Sequence, residues 1–145
     1  MTPDQLFSIA NTIALAAWIT MIVLQRRLWV LNILIGRVVP AVFAAIYVAI
    51  LAGSWAGSTG GFSSLAGVAA LFSNRWLLLA GWLHYLAFDL LIGRWQLADA
   101  HAHGFGLALV VPCQLLTFMF GPAGWLLYSI VRLTGSSRGV SSRAA

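Results

Sequence analysis

GWLHYLAFDLLIGRWQLADAHAHG, residues 81–104, is the stretch on which the reading of this chain turns. Its first half is as apolar as a buried helix, yet it carries His84, Tyr85 and Asp89. Its second half ends in Asp99, His101 and His103. Two of the three acidic residues and all three histidines of the 145-residue chain fall inside it. An apolar run of this length reads as a membrane span. Ionisable groups within a span are costly to insert and mark function by default.

The rest of the sequence supports the membrane reading. It is 61% hydrophobic and only 8% charged, whereas about a quarter of a soluble domain is charged. Its eight arginines, with no lysine and no glutamate, give a net charge of +5. They are spread over several loops, so the clustered basic face that nucleic acid requires is absent and nucleic acid is excluded as a partner. Cys113 is the lone cysteine, which rules out an internal disulfide or a CxxC motif. The opening MTPDQLFSIANT lacks the basic region of a secretory signal, so the first apolar segment reads as a retained anchor.

Four stretches reach the roughly 20 apolar residues a span requires: about 6–24, 31–51, 76–95 and 105–133. The expectation is an all-α integral membrane four-helix bundle, a single domain over residues 1–133, with a disordered polar tail at 134–145. Pro112 and the Gly121-Pro122 pair divide the last stretch, so the fourth helix is expected to kink or break there. Ser64 to Phe72 is apolar but too short to cross, and reads as an interfacial or re-entrant piece. Arg26, Arg27, Arg37 and Arg94 oppose Arg75, Arg132, Arg138 and Arg143, a balance that leaves the orientation open.

Within the third span, Asp89 lies 13 residues beyond Trp76, about 20 Å along a helix. Trp82, Tyr85 and Asp89 are spaced for one helix face, so the Tyr85 hydroxyl can donate to Asp89. His84 is turned roughly 140° away and would not share a ligand with Asp89 through this helix. Two readings of Asp89 stand side by side. One is a ligand site; the other is a packing device, bonded to Asn11, Asn32 or Tyr47 of a neighbouring helix.

Asp99 and His103 are four residues apart and share a face if the helix continues; His101 points elsewhere. Three readings stay open here. The first is a solvated loop with Asp99 paired to Arg94 or Arg75. The second makes Asp99 and a histidine the acid and base for an organic ligand. In the third, His84, Asp99, His101 and His103 supply a two-histidine, one-carboxylate metal set. No cofactor is expected, and histidines crowded at one helix end do not suit axial haem ligation.

The run GWLHYLAFDLLIGRW, then Asp99 and Gly104, then LVVPCQLLTFMFGPAGWLLY resembles the bacterial branch of a family of small four-span proteins. Its plant member, from the abscisic-acid-deficient series, is associated with converting violaxanthin to neoxanthin. The match is most specific over residues 81–128. The resemblance implies a carotenoid or other long apolar ligand, the lipid bilayer as surroundings, and the bacterial inner membrane as location. It also implies an epoxide-opening isomerisation, with Asp89 as the acid and Asp99, His84 or His103 as candidate bases. Trp82, Tyr85, Phe88 and Arg94 would contact the ligand, and Trp18, Tyr47, Phe118 and Phe120 could extend an aromatic slot. Two alternatives accompany this reading: a non-catalytic carotenoid- or quinone-binding or scaffolding subunit of a homo-oligomer or larger membrane complex, and a small proton path.

Overall fold

The computed structural model describes residues 1–27 and 29–141, the last six of these by their backbone alone. α1 spans Pro3–Val23 and α2 spans Val39–Ser54, preceded by a π-helical segment, Val30–Val38. α3 is Leu65–Phe72, α4 Arg75–Ala102, α5 Leu107–Phe120 and α6 Pro122–Ser141. The all-α expectation holds. Pro3–Val23, Val30–Ser54 and Arg75–Ala102 are long and apolar enough to cross a membrane. The chain divides into two compact units, Met1–Leu90 and the remainder from Leu91, with α4 continuing from one into the other.

In the first unit, α1 starts at a capping box. The Thr2 hydroxyl accepts from Gln5 N–H and the Gln5 side chain accepts from Thr2 N–H, with Pro3 at the first helical position. This reciprocal pair satisfies donors that a helix start otherwise leaves orphaned. Trp82 Nε1 donates to Asn11 Oδ1 at 2.8 Å, Phe7 meets the Trp82 ring at 5.6 Å, and Arg75 pairs with Asp4. The rising order of these contacts means that α1 and the start of α4 run parallel. Asn11, one of the partners considered for Asp89, is thus committed to Trp82.

The π-helical segment was not expected, and its cause is Pro40. Proline has no N–H, and its ring clashes with the carbonyl four residues back. Widening the helix just before it relieves that clash, and Val39 N–H accordingly reaches five residues back, to Leu34 O.

In the second unit, the fourth apolar stretch breaks, as expected, at the Gly121-Pro122 pair. The chain breaks at Gly121 (φ 35°), and Pro122 starts a new helix. Pro112 leaves α5 unbroken. It sits in the second turn of the helix, where one i→i−4 hydrogen bond is lost and the helix continues through it. α5 and α6 fold back on each other as an antiparallel hairpin: Thr117 lies against Gly124, and Phe105 against Gly135. α6 runs on to Ser141, into the stretch expected to be a polar tail, and residues 142–145 of that tail lie outside the described residues.

A Cβ at Gly124 would fall 2.1 Å from Thr117 N and 2.2 Å from its hydroxyl. Backbone is the obstacle, so the hairpin must open to admit a methyl group. Gly124→Ala is expected to lower the thermal midpoint of the solubilised protein by roughly 5–10 °C. Gly53→Ala, where nothing lies within 4 Å, should leave the midpoint unchanged. Equal midpoints in circular-dichroism melts would show that the hairpin is not closed at Gly124.

Candidate functional site

One face of α4 in the first unit builds a cavity. Arg75, Leu78, Trp82 and Tyr85 follow one another by steps of three, four and three residues, so they stack along the helix. They line a cavity of about 530 Å³, together with Pro3, Asp4 and Phe7 of α1 and Phe72 of α3. From Arg75 to Tyr85 is about 15 Å of helix. Trp82 stacks on Tyr85 with ring centroids 5.3 Å apart. The Asp4–Arg75 pair is well exposed to solvent, so one end is polar and the body is aromatic.

At the inner end stands Tyr85, whose hydroxyl hydrogen-bonds the carboxyl group of Asp89. Asp89 is buried at 6% exposure, and its Oδ2 has no hydrogen-bond partner. Asp89 itself does not line the cavity; Tyr85 does. The expected Trp82–Tyr85–Asp89 stripe is therefore present. A phenol bridges an aromatic slot and a carboxyl with one unused oxygen.

His84 faces elsewhere, as the helical angle requires. It lines a second cavity of about 580 Å³ with Tyr47, Trp55 and Phe62, among others. Phe88 packs tilted against His84 with ring centroids 4.5 Å apart and lines neither cavity. Of the expected aromatic inventory, these two cavities use Tyr47, Trp82 and Tyr85. Sequence reasoning missed Phe7, Phe62 and Phe72, which sit at positions of ordinary apolar character and carry no local signal.

Asp99 and His103 belong to the second unit. Asp99 Oδ2 accepts from Tyr128 Oη at 2.8 Å and from Arg132 Nε at 2.6 Å. Its ion-pair partner is thus Arg132, where the sequence suggested Arg94 or Arg75. His103 Nδ1 lies 2.8 Å from the main-chain oxygen of Asp99, and Nε2 lies 3.0 Å from Arg132 Nη2. The arrangement is self-consistent if Nδ1 carries the proton and donates, leaving Nε2 to accept. Trp95 meets Tyr128 edge-on at 5.5 Å.

Beneath this cluster Gln96 donates to Thr117 Oγ1 at 2.9 Å, and Gln114 donates to the Gly93 carbonyl at 3.2 Å. All three side chains are buried, so this polar layer fastens α5 to α4 where water is scarce. Arg94 is half-buried and His101 is exposed. Among the described residues no group of three histidine, cysteine or acidic side chains is placed to hold a metal ion. The candidate set His84, Asp99, His101 and His103 is not brought together in either unit.

No curated protein and no solved structure gives a significant match. The sequence model of one family does match, over residues 5–128, and it covers α1 to the middle of α6. With its apolar spanning helices and its acid-bearing third span, this chain belongs to the ABA4-like family, described as ABA DEFICIENT 4-like.

Proposed function

We propose that this protein is a carotenoid-modifying isomerase of the bacterial inner membrane, acting on a xanthophyll epoxide in the manner of a neoxanthin synthase. Family membership supports the substrate class. One observation carries the chemistry: Tyr85 lines an aromatic slot, and its hydroxyl is bonded to a buried carboxyl with an unused oxygen.

The slot takes an end ring and the adjoining polyene between Phe7, Phe72 and Trp82. Tyr85 donates its proton to the epoxide oxygen as the C–O bond opens, and Asp89 reprotonates Tyr85. Loss of the vinylic proton from the neighbouring carbon forms the allene and returns a proton to the Asp89 carboxylate through the same phenol. Substrate and product are isomers, so no oxidant, reductant or net proton is consumed. Asp99 is not assigned as the base, because a carboxylate already accepting from a guanidinium and a phenol is a poor proton acceptor.

Expression in a violaxanthin-producing bacterial host tests the reading. Neoxanthin should accumulate with the wild-type chain and fall at least tenfold with Tyr85→Phe, as measured by pigment chromatography. Violaxanthin that copurifies with the protein while total pigment composition stays unchanged would overturn the isomerase in favour of a binding subunit.

A further inference from the structure

The second cavity has no part in that chemistry. It lies on another flank of α4, lined there by Leu77, Ala80, Gly81 and His84. Tyr47, Leu51, Ala52 and Trp55 of α2 and its C-cap, Phe62 of the following loop, and Leu71 and Phe72 of α3 complete it. Phe72 and Gly81 border both cavities. The Phe72 ring sits close over the glycine, with its edge 3.2 Å from where a Cβ would be. The ring therefore acts as the partition between the two spaces.

Two features of this cavity point to a ligand. The first is its polar edge, with Tyr47 half-buried and His84 exposed at the surface of the helices. Tyr47 and His84 face each other with ring centroids 6.0 Å apart, both within helices that can span a membrane. Neither makes a hydrogen bond to any described residue. At membrane depth there is no bulk water to satisfy a phenol and an imidazole, and each unsatisfied group is costly. A saturated acyl chain cannot relieve that cost, because it offers no hydrogen-bonding atom.

The second feature is the wall. Trp55 and Phe62 pack at 5.7 Å and 33°, and with Phe72 they present aromatic surfaces suited to a flat ring. No aspartate or arginine lines the space, so nothing there would neutralise a charged headgroup. About 580 Å³ lies within the usual 300–1,000 Å³ of small-ligand sites.

We infer that this cavity is a second ligand site, for an uncharged membrane-soluble molecule whose flat ring carries a carbonyl or hydroxyl oxygen bonded by His84 and Tyr47. A quinone supplies such an oxygen as a carbonyl, and the end ring of an oxygenated carotenoid supplies it as a hydroxyl or ketone. The site stands apart from the Tyr85 slot, so its occupancy does not depend on isomerase activity.

A photoreactive azido-quinone with a short isoprenoid tail, added to the full-length protein in phosphatidylcholine nanodiscs, tests this inference. Crosslinks should fall within residues 47–84 and be competed by unlabelled quinone or by zeaxanthin. The stronger competitor identifies the natural source of the ring. His84→Leu removes the polar contact at similar volume, and Ala52→Phe fills the space without touching His84 or Tyr47. Each should cut competable labelling at least tenfold, and either variant that elutes as a monodisperse species is sufficient. Labelling that neither competitor reduces, or that survives in the folded variants, would overturn the site and leave the cavity to lipid.

Discussion

Asparagine at position 89 is expected to lower xanthophyll conversion about a hundredfold or more, the range that loss of a general acid–base group produces. Asp89→Asn keeps the shape of the side chain and retains an oxygen that can accept from Tyr85. It removes only the ability to give and take a proton. Because Asp89 is buried and its Oδ2 is unpartnered, the amide breaks no ion pair, and folding should be preserved. The measurement is the neoxanthin-to-violaxanthin ratio in the producing host, normalised to protein in the membrane. A structural role predicts a different result: if Asp89 only packs, Asp89→Asn converts at the wild-type rate and Asp89→Leu is tolerated as well. Normal conversion in the asparagine variant would remove Asp89 from the chemistry.

The second large effect concerns Asp99, and it is expected in stability. Asp99→Ala deletes the acceptor shared by Tyr128 and Arg132. Hydrogen bonds to charged groups are each worth about 1.5–3 kcal/mol. The Arg132 side chain is 37% exposed while that of Asp99 is 13% exposed, so water recovers part of the arginine's loss. A net cost of about 2–3 kcal/mol follows, below the value for removing one partner of a fully buried pair. Because the contacts join α4 to α6, the loss should appear as faster amide hydrogen exchange in α6, with α1 and α2 unchanged. Asp99→Leu combined with Arg132→Leu should regain at least half of the loss, since neither charge is then left alone. Unchanged exchange in α6 would show that the cluster does not latch the unit.

These two acids were equally conspicuous in the sequence, ten residues apart in one apolar helix, and the structure separates their circumstances. Asp89 could be read with some completeness, because its partner Tyr85 lies four residues away on the same helix face. Helical periodicity alone brings that pair together and sends His84 to another flank. Asp99 could not, because the groups that engage it lie 29 and 33 residues further along the chain. Nothing in QLADAHAHG distinguishes Arg132 from Arg94 or Arg75 as its partner.

The broken fourth stretch divides in the same way. Gly121-Pro122 announces a break, since a residue at positive φ followed by proline cannot continue a helix. What the break leads to depends on Gly124 finding the Thr117 backbone in the returning helix. Pro112 gave an equally strong local signal, and yet it stands inside α5 without ending it.

Hydropathy, helical period and the placement of Gly and Pro are properties of neighbours in the chain. They sufficed to define an all-α membrane protein, the approximate course of its first two long helices and the start of the third, and the Tyr85–Asp89 pair. The aromatic slot, the Phe72 partition over Gly81, the Asp4–Arg75 pair and the Arg132 latch each join residues distant in sequence. Those contacts arise from how helices rotate and pair, which is set by side-chain packing between elements and by no periodicity within one of them.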